Sequence, residues 1–268
     1  MTRLYALGSG SRGNCFALER DGVVLLLDAG FSLRELDRRA AAAGLALDGL
    51  VGIVLTHEHG DHAAGAVRTA ARHDVPLVAS AGTRDALRAG SAVACAPLVP
   101  GHQVTLGPFE VAGCPIPHDA TEPMAVAIRA DDGTSVALAY DVGRPTAALR
   151  LLLRDRTAVI LEANHDEVLL RTSPYPASVQ ERIAGSAGHL SNRIAAQLLA
   201  EASHAGLGTV VLAHLSQRCN SEEMARAAVT EALRAVRFGG EVVVARQDEP
   251  TGPFTLHPAH GAQFALPI

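Results

Sequence analysis

Residues 56–62 read Thr-His-Glu-His-Gly-Asp-His, and few folds can make use of such a string. It follows an apolar run, Val51 to Leu55, short enough and β-branched enough for a buried strand. At the end of a strand, His57 and His59 stand two positions apart and leave the backbone on the same side. Asp61 and His62 follow in the turn and can face them across a gap. Three neutral imidazoles and a carboxylate within six positions suit Zn²⁺ first, or Mn²⁺ or Fe²⁺ as the carboxylate share rises. The competing reading is a polar surface loop that happens to hold histidines. The spacing weighs against it, even in a chain with 12 histidines among 268 residues.

Glycines near the start invite a different idea. Gly8 to Gly13 matches Gly-x-Gly-x-x-Gly, with Asp28 where a ribose-binding acid would be sought. A dinucleotide site needs a helix directly after the glycines. Here Asn14 to Glu19 alternates loosely, Asp21-Gly22 makes a hairpin turn, and Val23 to Leu27 is a buried strand. Strand, glycine loop and hairpin argue against a nucleotide cofactor. The loop can still approach a ligand closely, because backbone without Cβ leaves room and free N–H donors.

Further along, Ser32 with Glu35 makes a capping box opening a helix that Gly44 closes. The pattern predicts helices over 62–73, 83–89, 145–153, 176–185, 191–205 and 221–237. Strands are expected over 76–79, 104–106, 109–116, 124–130, 135–140, 158–162, 209–213, 241–246 and 254–257. No linker or repeat divides the chain, so one domain over 1–268 is expected. With aromatics at 3%, the core must be built from Ala, Val, Leu and Ile. All 23 basic residues are Arg, so any side-chain cation on a phosphate is a guanidinium. The net charge of −5 gives no support to general nucleic-acid affinity, although it allows a local basic cleft.

Cys15, Cys95, Cys114 and Cys219 are far apart and read as reduced core residues. The first residues lack the apolar stretch of a signal peptide, and no run approaches the ~20 residues that span a bilayer. A cytoplasmic protein with no membrane partner is the expectation.

Two metals need more ligands than one string supplies. His118, Asp141 and His214 are each a lone polar residue just past an apolar strand, and strand ends converge on one rim. Singly, each reads as an ordinary hydrogen-bonded strand-end residue. Together with the first string, their order and spacing resemble the metallo-β-lactamase superfamily. That resemblance implies an α/β fold, a four-layer αββα sandwich with mixed sheets. It implies that His57, His59 and His118 hold one divalent ion and that Asp61, His62 and His214 hold the other. Asp141 would bridge the two, and Asp28 would orient a ligand from behind.

Within that superfamily, a bridging Asp141 argues against the lactamase branch and for hydrolases that clamp a phosphodiester between two metals. Leu161 to His165 and Gly188 to Ser191 resemble islands of the tRNA 3′-processing nucleases, where a Glu and a His handle the leaving-group proton. Glu162 and His189 occupy those places here. The 23 residues from His118 to Asp141 leave no room for those enzymes' substrate-clamping arm. The 73 from Asp141 to His214 leave none for a β-CASP domain. The chain is most similar to the YycJ/WalJ-type group, on Leu7 to Asn14, Thr56 to His62, His118 to Ala120 and Asn164 to Asp166. Pro174 to Pro176, Gly188 to Asn192 and Ala213 to Ser216 extend the match.

The resemblance implies a two-metal phosphodiesterase, a DNA 5′-to-3′ exonuclease, with Asp61, Glu162 and His189 catalytic. Ser9, Ser11, Arg12, His165 and Arg218 are the candidate substrate contacts, with Arg144 beside them. His165 has a second reading as an exposed helix-start histidine. Hydrolysis of a small ester, thioester or lactam is the alternative activity, and oligomerisation is left open. His73, His102, His204, His257 and His260 read as surface residues.

Overall fold

A computed structural model of the chain describes residues 1–87 and 93–258. In order, the first half supplies β1 (Thr2–Gly8), β2 (Cys15–Arg20), β3 (Val23–Leu27), α1 (Leu33–Ala42), β4 (Leu50–Val54), α2 (Gly60–Ala63), α3 (Ala66–His73), β5 (Leu77–Ala79), α4 (Ala81–Leu87) and β6 (Cys95–Pro97). The second supplies β7 (Gln103–Leu106), β8 (Phe109–Pro115), β9 (Met124–Ala130), β10 (Ser135–Ala139), α5 (Ala147–Leu153), β11 (Ala158–Glu162), α6 (Glu167–Thr172), α7 (Ala177–Ala184), α8 (Asn192–Ala202), β12 (Thr209–Ala213), α9 (Glu222–Ala235), β13 (Glu241–Val244) and β14 (Thr251–Thr255). One sheet runs β14-β1-β2-β3-β4-β5-β6 and the other β13-β12-β11-β10-β9-β8-β7. Both are mixed: β3 to β6 and β10 to β13 pair in parallel, and the other pairs are antiparallel, hairpins apart from β1 with β14.

The layering follows from alternation along each strand. Leu25 and Leu27 of β3 and Val136 and Leu138 of β10 face a core between the sheets. Their neighbours Val24 and Leu26 face outward to Leu36 of α1 and Ala66 of α3. Ala137 and Ala139 face outward on the other side, to Leu149 of α5 and Leu199 of α8. Three cores separate four layers, αββα. Alanines at 112, 125, 127, 137 and 139 stand where bulkier residues would hold α5 off the sheet, which is how a core poor in aromatics closes.

Some expected elements differ. The helix expected over 62–73 is two, because Gly65 interrupts it: its N–H donates to the Ala29 carbonyl, and a Cβ there would sit 1.9 Å from the Phe31 carbonyl. Ser32 accepts from the Glu35 N–H, but Glu35 turns to Arg38 and Arg39 instead of closing the box. The last strand lies at Thr251–Thr255, drawn there by antiparallel pairing with β1. The helix expected to 89 is described to Leu87, its last residues lying outside the described ones. β6 and α6, of three and six residues, are too short for periodicity to show. No helix among the described residues is long and apolar enough to cross a membrane.

Candidate metal centre

The carboxyl ends of β3, β4, β8, β10, β11 and β12 meet along one edge of the two sheets, where ligands gather in open α/β sheets. Asp28, Asp141 and His214 each lie within two residues of their strand's end, with φ of 57°, 55° and 54°. This left-handed backbone is unusual outside glycine, though Asp and His tolerate it better than most. It swings the chain out of the sheet at the rim.

Ligand atoms of His57, His59 and His118 fall within 4.8 Å of one another, as do those of Asp61, His62 and His214. Asp141 joins the sets: its Oδ2 is 2.7 Å from His62 Nε2 and 3.4 Å from His57 Nε2, and its Oδ1 is 3.0 Å from His214 Nδ1. The same edge thus carries two overlapping nests of nitrogen and oxygen donors.

The second nitrogen of most of these rings explains the first. His62 Nδ1 donates to Asp28 Oδ2 at 2.7 Å. Thr56 donates its hydroxyl to that same Oδ2, so the hydroxyl oxygen is left to accept from His57 Nδ1 at 3.0 Å. His118 Nδ1 faces the Gly188 carbonyl at 3.3 Å, and His214 Nδ1 faces Glu162 Oε1 at 3.1 Å. Each Nδ1 is engaged by a structural partner, so Nε2 is the nitrogen turned toward the common space. Two buried atoms there, His57 Nε2 and Asp141 Oδ1, have no hydrogen-bond partner among the described residues. Burial and the neighbouring His62 push His57 down to about 2, so its ring is neutral. Asp141 stays ionised against its burial because His214 and His62 hold it well below the carboxylate range. Against their burial, the same carboxylate raises His62 and His214 well above the imidazole range, so a divalent cation binding among these donors would displace their protons and take their place beside the ionised carboxylates.

Asp28 does more than one job in that frame. It is fully buried and accepts from the Thr56 N–H and hydroxyl, from His62 and from the Tyr140 hydroxyl at 2.6 Å. All four partners are donors, so an amide in its place would turn an N–H toward some of them. Asp28→Asn, which tolerates the same backbone, is expected to weaken metal binding by about 10–100-fold in a chelator competition. Unchanged affinity would remove Asp28 from the orienting role. Tyr140→Phe deletes only one of the four donors to Asp28 and is expected to cost about 1 kcal/mol of thermal stability.

Glu162 is fully buried at the end of β11. Its Oε2 accepts the backbone N–H of Val142 and of Leu190, both at 3.0 Å, and its Oε1 accepts from His189 Nδ1 at 2.7 Å. Burial lowers the His189 pKa, but the Glu162 charge and contacts with Asp141 and Glu162 outweigh it and raise it to about 9. His189 is therefore an imidazolium at neutral pH with Nε2 left free, partly open to the cleft. Asp61 is half-buried, and bonds from His214 and His62 keep it ionised despite burial.

The expected substrate contacts divide. Ser11 is exposed and lines the cleft with His59, Asp61 and His118. Arg218 is exposed, 5.2 Å from the ring of Tyr175, which also lines the cleft. Ser9 is a correction. Its hydroxyl donates to Asn14 at 2.8 Å and accepts the His214 N–H at 2.9 Å, so its one proton is already spent and it positions the loop that carries His214. Arg12 is exposed but paired with Asp248 at 2.6 Å. The exposed reading of His165 is overturned: it is 2% exposed, bridged to Ser191 through the backbone. His204 also departs from expectation, accepting from the Gly206 N–H and donating to the Arg156 carbonyl. His102 and His257 are exposed and His73 half-buried, while His260 lies outside the described residues.

Other residues of the site gave less warning. Asn14 Nδ2 reaches the Asp61 carbonyl and His62 Nε2, while Asn164 Nδ2 donates to the His214 carbonyl. Glu58, inside the histidine string, accepts from the Thr121 N–H and hydroxyl and so pins the loop that carries His118. Gly30 lets that frame close: a Cβ there would lie 1.8 Å from the Asp61 carbonyl. The cleft over the cluster holds about 390 Å³. A larger hollow of about 1040 Å³ lies at the opposite, amino-terminal ends of β11 to β13 and contains none of the clustered donors.

Comparison with known proteins agrees with this geometry. The beta-lactamase superfamily domain matches residues 24–215. The chain is 32% identical over 252 residues to exodeoxyribonuclease YycJ of Bacillus anthracis, covering 92% of this chain and 95% of that protein. It superposes on the metallo-β-lactamase fold protein YhfI from Bacillus subtilis with a TM-score of 0.70 at 18% identity, over 93% of this chain and 98% of that one. For the short form of human tRNase Z the TM-score is 0.65 at 16% identity, over 95% and 100%.

Proposed function

The chain belongs to the β-lactamase superfamily and is a metal-dependent hydrolase, and from that premise we propose that it is a nuclease, a DNA exonuclease working from the 5′ end. The observation that carries this reading is the Glu162–His189 pair set against Asp141. A sugar alkoxide is a poor leaving group and needs a proton, and His189 is a charged imidazole with one nitrogen anchored and the other facing the cleft. The name of the Bacillus anthracis relative supports DNA as the substrate. We take residues 1–268 as one hydrolase domain, and the four unpaired cysteines fit a reducing cytoplasm.

His57, His59 and His118 would hold one divalent ion, Asp61, His62 and His214 the other, and Asp141 both; Zn²⁺ suits the nitrogen-rich set best. Such ions, when bound, supply Lewis acidity that makes hydroxide available at neutral pH and offsets charge on the phosphate. The side chains do the rest. Asp61 accepts a hydrogen bond from the attacking water and holds it in line. Arg182 and Arg218, at the mouth of the cleft, receive the phosphate oxygens. His189 Nε2 gives its proton to the departing oxygen while Glu162 Oε1 keeps the Nδ1 proton in place. Exposed Arg171, Arg182, Arg193 and Arg218 stand around this edge, a local basic rim on an acidic chain.

Metal-loaded protein is expected to shorten end-labelled DNA by releasing mononucleotides from the 5′ end, and to hydrolyse bis-(p-nitrophenyl) phosphate in preference to nitrocefin or acyl-glutathione. Release of internal fragments would overturn the exonuclease mode. Preference for the lactam or the thioester would overturn the phosphodiesterase reading.

A further inference from the structure

Behind His189, on the side away from the clustered ligands, lies a second hollow of about 320 Å³. That volume is at the lower end of small-ligand sites. His189 lines both it and the metal cleft, so one imidazole forms the wall between them. Four features of the hollow point to an anion. His165 lines it, is 2% exposed, and its Nδ1 is buried with no hydrogen-bond partner among the described residues. A buried polar atom left unpaired is costly, and a ligand that bonds to it recovers that cost. The 11-residue helix α8 starts at the same place; its Asn192 N–H goes to the His165 carbonyl and its Ile194 N–H to the Ser191 cap, leaving the Arg193 N–H without a partner among the described residues. Arg171 also lines it and has no acidic partner in reach among the described residues. The one carboxylate on the wall, Glu167, is already neutralised: it accepts from Ser191 at 2.8 Å and pairs with Arg193 at 3.0 Å.

We propose that this hollow seats the terminal 5′-phosphate of the departing nucleotide, held by Arg171, His165 Nδ1 and the Arg193 N–H at the start of α8. The inference rests on the nuclease reading above, and the logic is that of in-line displacement. The water oxygen forms its bond to phosphorus on the Asp61 side, and the bond from phosphorus to the 3′ oxygen breaks on the His189 side. His189 Nε2 supplies the proton to that 3′ oxygen, and the water's proton leaves through Asp61 to solvent. Whatever lies beyond His189 is therefore the fragment carrying the new 3′ hydroxyl. When a strand is cut from its 5′ end, that fragment is the first nucleotide, and its far end is the 5′-phosphate. A pocket that grips that group reads the end of the strand, and an internal phosphodiester, bearing one charge and a continuing chain, fits it less well.

The test uses metal-loaded, full-length protein on single-stranded DNA of one sequence with a 5′-phosphate or a 5′-hydroxyl. The ratio of kcat/KM between the two is expected to favour the phosphate by at least about tenfold, the worth of one charge-assisted contact. Arg171→Ala, at an exposed position, should bring the ratio near one, and Arg171→Lys should restore part of it. In parallel, a deoxynucleoside 5′-monophosphate should inhibit hydrolysis of bis-(p-nitrophenyl) phosphate more strongly than the 3′-monophosphate, and Arg171→Ala should erase that difference. A wild-type ratio near one, or a ratio that survives Arg171→Ala, overturns the proposal while leaving the nuclease reading intact. Inhibition that follows the 5′-phosphate in a protein that cleaves no DNA keeps the phosphate site and overturns the nuclease reading instead.

Discussion

Protein carrying Asp141→Asn is expected to hold about one metal ion per chain where the wild type holds close to two, and to lose about 10³-fold or more in turnover. The loss reaches the upper end of what removing a single electrostatic stabiliser costs. The reason is positional. Among the described residues, Asp141 is the carboxylate whose two oxygens approach both nests, Oδ2 toward His57 and His62 and Oδ1 toward His214. His62 Nε2 also lies near donors of both nests, but it offers one atom where the carboxylate offers two. Asparagine is the cleaner substitution, because the backbone at 141 has φ of 55°, which Asn tolerates and Ala resists. Asp141→Ala should show the same drop in metal content together with a lower melting temperature from backbone strain. Metal analysis of protein purified without chelator checks the first part and thermal melts the second. Full occupancy with full activity in either variant would refute a shared ligand.

Much of this centre could be read from the chain because its ligands interrupt apolar runs. Asp141 and His214 each follow a buried strand that is apolar after its first residue, so a lone polar residue at that point signals a rim. The histidine string is denser still, and local spacing alone converges its rings. The layers were legible for the same reason: alternation of period two along β3 and β10 sorts residues between cores without help from the rest of the molecule.

The supporting residues were hidden because their roles depend on partners far away in sequence. Tyr140 looks like the last apolar residue of a strand, and only contact with Asp28, 112 positions earlier, makes it part of the site. Asn14 looks like one more loop residue until the Asp61 turn, 47 positions later, lands on it. Ser9 misled in the opposite sense. A small hydroxyl in a glycine loop suggests a ligand contact, but the His214 backbone, 205 positions on, takes its oxygen first. His165 is buried by a backbone bridge to Ser191 that no local pattern announces.

The leaving-group pair yields the other large effect. His189→Ala should slow cleavage of ordinary DNA by about 10²–10⁴ while metal content stays unchanged, since His189 acts through proton transfer. The loss should shrink on bis-(p-nitrophenyl) phosphate, whose leaving group departs without a proton. Equal losses on both substrates would place His189 in structure or phosphate binding instead. Glu162 is expected to behave differently, because the structure ties it to more than His189. Its Oε1 also faces His214 Nδ1 at 3.1 Å, and its Oε2 satisfies the N–H groups of Val142 and Leu190. Glu162→Gln must therefore disturb a metal ligand and a proton donor together, and should lower metal affinity as well as rate. On DNA it should cost at least as much as His189→Ala, and adding His189→Ala to it should cost little more, since residues acting as one unit are not additive. If Glu162→Gln left metal affinity untouched and matched His189→Ala on both substrates, the carboxylate would serve His189 alone. The contact with His214 would then be an accident of packing.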